Sequence, residues 1–493
     1  MCYSTSNPTA VVQQPNHKPT EPEPEFKRPL EKVERFIITS AQNSTPLNRK
    51  FFASLLCAKR YLKAELLVVP FRYKNPTSVF SERQKKADEL FPKEVRPYLW
   101  NQRLRLNANL TLLADIRTQP TAVEPLSGFD AMTGAESAIL GHTKLQLRTV
   151  ATPSNKFPKI LTTTGACTVP NYTDSRAGKL GEFHHTLGAV LVEIQGKIFH
   201  LRHLNANKTT GEFTDLLTTY HPSGHRKAAR PLALVFGDTH VDFIDGAVER
   251  ATFGAGGMVD TLNPRALVFH DLLDAYSCNP HHKDNPFIAV AKHASFLNDI
   301  QKEIGRAIRF VWDRTKGERE SVIVGSNHDE FVARYMKSQD WRQDPANAKF
   351  YLRTASYLVE NLRISDHGFS MPNPFAVWFK WLTGPNDNGN LRILGADESY
   401  TKAGIELGMH GDRGPNGAKG SARNLRCIGV KSIIGHSHTP AIEEGCYQVG
   451  TSTSLRLEYN AGPSGWLNTH CVLHADGKRQ LINIIDGNWR LNG

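Results

Sequence analysis

The sequence has no run of about 18 consecutive apolar residues, the length a helix needs to cross a bilayer. Its first residues, MCYSTSNPTAVVQQPNHKP, hold neither an apolar leader core nor an Arg-rich amphipathic pattern. The expectation is a cytoplasmic protein without a membrane partner. Cysteine is scarce and scattered: the seven (Cys2, Cys57, Cys167, Cys278, Cys427, Cys446, Cys471) are odd in number and never spaced as CxxC. That argues against both a disulfide framework and a zinc ribbon. What is present is a globular balance over 493 residues, with 40% hydrophobic and 22% charged, enough chain for two or three cores.

The net charge of +12 is unevenly placed. Residues 1–230 hold 32 Lys and Arg against 19 Asp and Glu, whereas residues 231–493 hold 28 against 29. A basic module joined to a neutral one suits a chain in which one part attracts a polyanion and the other does chemistry on it; a solvated lysine-rich surface accounts for the charge equally well.

Residues 1–33 carry six prolines and EPEPE, a composition that cannot offset the entropy of ordering, and read as a disordered Pro-rich tail. Residues 34–220 read as a basic mixed α/β domain with its own sheet. Phe36–Ile38, a helix over Leu47–Leu62 opened near Pro46, and a strand at Glu65–Phe71 make a β-α-β unit. Further strand-like runs lie at 110–116, 145–150, 159–164 and 187–201. NANKTTGEF and HPSGHRKAAR (221–230) form the candidate linker, and residues 231–493 the second domain.

From residue 231 onward apolar, β-branched runs repeatedly end in Asp, Asn or His: GDTH (237–240), HDLLD (270–274), SNHD (326–329), HGDRG (410–414) and GHSH (435–438). Strand ends of an α/β sheet are where ligand groups converge over a rigid scaffold. Carboxylate, amide oxygen and imidazole without thiolate suit Mn, Fe, Zn or Ni, and about seven such groups are too many for one ion. Asp242 and Asp245 read as caps of the following turn, and His281 and His282 as a polar surface loop.

These motifs, in this order, resemble the calcineurin-like metallophosphoesterase superfamily, with its DxH, GDxxD, GNH(D/E), lone His and GHxH. The resemblance implies a sandwich of two facing β-sheets flanked by helices. It also implies two divalent metal ions, manganese first, with Asp238, His240 and His438 on one ion, Asn327, His410 and His436 on the other, and Asp271 bridging. His328 would assist the leaving group, and Asp274 would orient its neighbours. Two positions depart from the pattern: the Gly before the bridging Asp is His270, and Ser326 stands between Gly325 and Asn327. The GDxVDRG of the protein serine/threonine phosphatases is missing, since HDLLDAYS has no such Arg, which argues against that activity.

The segment 410–432 sets Arg413, Lys419, Arg423 and Arg426 among glycines between two ligand histidines, a composition suited to a phosphate backbone. Together with YNAGPSGWLNTH and DGKRQLINIIDGNWR, it looks like phage-encoded superfamily members associated with DNA transfer or host-DNA degradation, which would act in the host cytoplasm. The expected function is therefore a DNA-hydrolysing phosphodiesterase, a nuclease working through a metal-bridging hydroxide. The rivals are a small-molecule or nucleotide phosphoesterase, and a DNA-binding or transfer protein whose metals serve the fold.

Overall fold

The computed structural model describes residues 33–71, 91–315, 317–366, 368–384, 389–395 and 397–491. The expected tail over 1–33 lies outside them, apart from Val33. The protein is mixed α/β. In the N-terminal half, strand Arg35–Gln42 and strand Glu65–Phe71 pair in parallel across helix Arg49–Leu62, the β-α-β unit read from the sequence. That helix forms because Phe51, Phe52, Leu55 and Ala58 fall on one face, all buried. It starts at Asn48, whose side chain accepts the Phe51 N–H, so Pro46 stands just outside it. The run 187–201 is two strands, Gly188–Gln195 and Ile198–Asn205, which complete a four-stranded sheet. Gly196 turns between them at φ 59°.

Two larger sheets frame the rest. One has six strands, in the order 391–393, 320–323, 266–269, 233–235, 469–473 and 479–483; the first four are parallel, and the last two form a hairpin around Asp476-Gly477. The other has ten strands. Half of them come from residues 401–448 and half from residues 103–163, joined where Ile442 pairs with Leu147. The expected boundary between 220 and 231 is thus no break between sheets. The expected linker is also ordered: Phe213–Asp215, Thr218–His221 and Gly224–Lys227 form an antiparallel meander. Its polar composition hides an inward pair, Phe213 against Tyr220, both buried, with ring centroids 5.3 Å apart.

Alternation along the six-stranded sheet creates two cores. Val235 and Val268 face the ten-stranded sheet, packing with Leu147, Ile433 and Ile442. Leu234, Phe236, Leu267 and Phe269 face the other way, onto helices that supply Ile304, Val311 and Trp378. Arg479 ties the large sheets together, donating to the carbonyls of Ser432 (2.8 Å) and Gly445 (2.6 Å).

The N-terminal half is fastened by a buried ion triad. Arg202 donates to Glu193 (2.7 Å) and bidentately to Asp215 (2.7 and 3.0 Å), and Gln480 of the six-stranded sheet reaches the same Asp215 at 3.1 Å. Burial pushes the Glu193 carboxyl up, but Arg202 outweighs it and holds the group below the usual range. That contribution to stability is present above the ordinary glutamate pKa and is lost as pH falls through the lowered one. Replacing Arg202 by Met leaves Asp215 buried without its cation and Glu193 with Arg35 alone, at 3.2 Å. The expected cost is about 3–5 kcal/mol, read as a lower urea midpoint at neutral pH; an unchanged midpoint would show that the triad does not hold the two halves together.

Candidate metal centre

Strand Ala233–Val235 ends in Gly237-Asp238-Thr239-His240, strand Ala266–Phe269 in His270-Asp271, strand Glu320–Ile323 in the turn holding Asn327, and strand Lys431–Ile434 in Gly435–His438. All seven candidate ligands meet there, at one end of the facing sheets. His438 Nε2 is 3.1 Å from Asp238 Oδ2 and 3.2 Å from His240 Nε2, which lies 3.7 Å from Asp271 Oδ2. On the other side of Asp271, His410 Nε2 is 3.1 Å from the same Oδ2. The His410 ring packs on His436 at 5.3 Å, and His436 Nδ1 is 3.2 Å from Asn327 Oδ1. Asp271 therefore stands between two groups of donors. One ligand atom each from Asp238, His240, Asp271 and His438 lies within 4.8 Å of the others.

Two observations show that this donor set suits cations. Among the described residues, Asp238 Oδ1 and Asp271 Oδ1 are buried without a hydrogen-bond partner. Burying such groups uncompensated is costly. The backbone is also bent to aim them: His240 (φ 39°), Asp271 (41°), His436 (75°) and His438 (57°) adopt left-handed conformations, at an order of 1–3 kcal/mol each. Without cations, protons stand in. Burial lowers His240 and His410, but Asp274 and Asp271 for the first, and Asp271 for the second, override it and lift both to about 9. Burial raises Asp271, yet the surrounding histidines hold it well below the carboxylate range. Cations entering here would displace those protons.

Asp274 places Oδ1 2.9 Å from His240 Nδ1, the carboxylate-histidine contact that orients a ligand ring, and its carbonyl accepts from His328 Nδ1 at 2.6 Å. Donation to that carbonyl requires a hydrogen on His328 Nδ1. His270, where the family pattern has Gly, is fully buried with Nδ1 3.5 Å from His410 Nδ1; burial and then His410 push it down to about 4, so it is neutral. Ser326 donates its N–H to Asp329, and Asp329 caps back onto the Ser326 hydroxyl, which absorbs the inserted residue.

The basic segment is ordered, and part of its charge is paired within the protein. It folds back where Arg413 bridges Lys419, and Gly420 passes so close to Gly411 that a Cβ would sit 2.0 Å from that carbonyl oxygen. Arg413 pairs with Glu330, and Arg423 lies 3.9 Å from Glu124. Arg426 is committed to Glu124 (2.9 Å) and Glu443 (3.2 Å), a strut between the two halves of the chain rather than a free cation. Lys419 and Arg423 are exposed. Asp412 and Arg413 also line a cleft of about 600 Å³ beside His410, with Phe375, Leu394 and Met409 as apolar walls. Asp242 binds Arg306, and Asp245 caps helix Gly246–Phe253 as expected. His281 is exposed and His282 half-buried.

Sequence reasoning missed Gly435, where a Cβ would lie 2.2 Å from Asp238 Oδ1, and the Gly450–Ser452 stretch. Gly450 and Ser452 bond the Asp238 backbone on both sides. Trp466, against the His438 ring at 4.1 Å, was missed too. Only the Gly of GHSH offered a signal in the sequence.

Fold and site together define a mixed α/β protein with a buried His/Asp centre of metal-binding type, and no helix among the described residues is long and apolar enough to cross a membrane. The chain is 31% identical over 466 residues to protein A1 of Escherichia phage T5, covering 92% of this chain and 82% of that protein, and belongs to its family. No protein-family model matches the chain, and no solved structure does.

Asp271→Asn removes charge from the one group placed between both donor sets, and Gly435→Ala drives a methyl into Asp238. Each should reduce Mn²⁺ content after dialysis against the metal, measured by plasma emission spectrometry, with the far-ultraviolet spectrum retained. Metal content equal to that of the unmodified protein in both variants would contradict the site.

Proposed function

We propose that this protein is a calcineurin-like, two-metal phosphodiesterase that hydrolyses DNA. The observation that carries the reading is the meeting of six Asp, Asn and His side chains around the buried Asp271 carboxylate, the seven coming from five separate motifs, with partnerless carboxylate oxygens in the same space. Asp238, His240 and His438 would hold one ion and Asn327, His410 and His436 the other, with Asp271 between them. Such ions polarise a phosphoryl group and make water a nucleophile near neutral pH.

The chain's own residues account for the remaining needs. His328, fixed through Nδ1 to the Asp274 carbonyl, would act as the acid in its doubly protonated form, giving the Nε2 proton to the departing oxygen and keeping the one on Nδ1. Asp274 locks the His240 ring. Exposed Lys419 and Arg423 are placed to meet a polymer that extends past the centre. The basic surplus of the first half supports a polyanionic substrate, although part of it is structural: Lys144, Lys159 and Arg202 are buried and bonded within the protein.

The test incubates the purified protein with Mn²⁺ and, in parallel, plasmid DNA, single-stranded DNA and a bis-nitrophenyl phosphodiester. Cleavage of DNA, with affinity falling against log salt at a slope near −0.9 per duplex phosphate contacted, is the expected result. Turnover of the small ester alone, with no salt-dependent DNA binding, would replace the nuclease by a small-molecule phosphoesterase. Salt-dependent binding without turnover of any substrate would leave a DNA-binding protein.

His328→Ala should keep both metals and lose about 10²–10⁴-fold in DNA turnover, with a smaller loss for the nitrophenyl ester, whose leaving group needs no proton. Loss of metal in that variant would make His328 a ligand. Removing Lys419 and Arg423 together should depress DNA turnover far more than turnover of the small ester, as initial rates on the two substrates will show.

A further inference from the structure

One helix that carries no candidate ligand holds two of the loops that do. Helix Ile300–Trp312 buries Ile300, Ile304, Ala307 and Val311 in the core beneath the six-stranded sheet. One turn apart on it, Glu303 and Arg306 reach into the ligand loops. Glu303, 4% exposed, accepts the Tyr276 N–H (2.8 Å), the Ser277 N–H (3.0 Å) and the Ser277 hydroxyl (2.5 Å). Arg306 grips Asp242, two residues past His240, through Nε to Oδ1 (2.7 Å) and Nη2 to Oδ2 (2.6 Å).

These bonds fall where the backbone most needs support. The loop from Asp271 to Cys278 contains two non-glycine residues in the left-handed region, Asp271 (φ 41°) and Ala275 (φ 55°), and His240 (φ 39°) opens the turn that holds Asp242. Conformations of this kind persist only where surrounding contacts over-determine them. A buried carboxylate is a costly filler for a core position that an apolar side chain would occupy more cheaply, so what Glu303 adds is its match to two backbone N–H groups. Lys292 helps from the neighbouring helix, its ammonium 4.8 Å above the Tyr276 ring and 3.5 Å from the Ser277 carbonyl.

We infer that Glu303 and Arg306 are positioning residues for the metal centre. They hold the 240–245 turn and the 271–278 loop in register on one rigid helix, and so set His240 against Asp271 and Asp274. The inference rests on the metal reading above and adds to it which residues outside the ligand set determine the affinity for metal.

Two measurements on the full-length protein test it. Hydrogen exchange of the metal-free protein reads the clamp, and calorimetric titration with Mn²⁺ reads its effect on the site. Glu303→Ala should accelerate exchange at Tyr276 and Ser277 about tenfold or more and weaken Mn²⁺ binding about 10–100-fold. Glu303→Gln, which keeps one acceptor oxygen, should fall between. Arg306→Ala, at a side chain 40% exposed and therefore tolerant of replacement, should loosen the 240–245 turn and weaken Mn²⁺ binding, and it carries the test if Glu303→Ala does not fold. Unaltered exchange overturns the inference. So does faster exchange with unaltered Mn²⁺ affinity, which would make both residues supports of the fold alone. An unmodified protein that binds no Mn²⁺ defeats the metal reading itself; a normal titration that none of the variants changes defeats the clamp alone.

Discussion

A carboxylate that is fully buried yet surrounded by imidazoles organises this structure. Asp271 sits at the end of a central parallel strand, 3.1 Å from His410 and 3.7 Å from His240, with one oxygen lacking any hydrogen bond. A charge placed there is tolerable only if opposite charge converges on it from several directions. The strand ends, the left-handed turns at His240, His436 and His438, and the close approach of Gly435 to Asp238 all follow from that requirement. The inner residues of the same strands build the two hydrophobic cores, so the element that anchors the fold also ends at the chemistry.

The site is supported from both halves of the chain. The ten-stranded sheet that carries His436 and His438 on the end of Lys431–Ile434 continues into strands from residues 103–163. Arg426, rooted in the segment between His410 and His436, pairs with Glu124 across that junction. The Arg202 triad and Gln480 bind the four-stranded sheet and the meander to the other large sheet. Cations that look in the sequence like an uncommitted positive surface are partly struts, because a buried Lys or Arg is tolerated only when paired.

Much of the organisation was legible in the residues. Helix Arg49–Leu62, the flanking parallel strands and the final hairpin follow from apolar spacing and turn chemistry that act over a few residues. The candidate ligands were legible because each closes a β-branched run, and a strand end is a local event. The last part of the meander, 221–227, was misread as linker because HPSGHRK has no inward apolar residue of its own, and its order comes from pairing with Thr218–His221. Arg426 was misread because its partner Glu124 lies 302 residues away along the chain.

By itself the sequence determined which residues have ligand chemistry, the order in which they occur, and that strands present them, since these depend on side-chain type and short-range periodicity. Tertiary structure alone decided that Asp271 stands between two donor groups, that Asp274 contacts His240, that Gly435 clears space for Asp238, and that Glu303 and Arg306 brace two loops from one helix. Those relations join groups tens to hundreds of residues apart. They arise only when the packed cores fix the strand ends beside one another, and no local propensity encodes that distance.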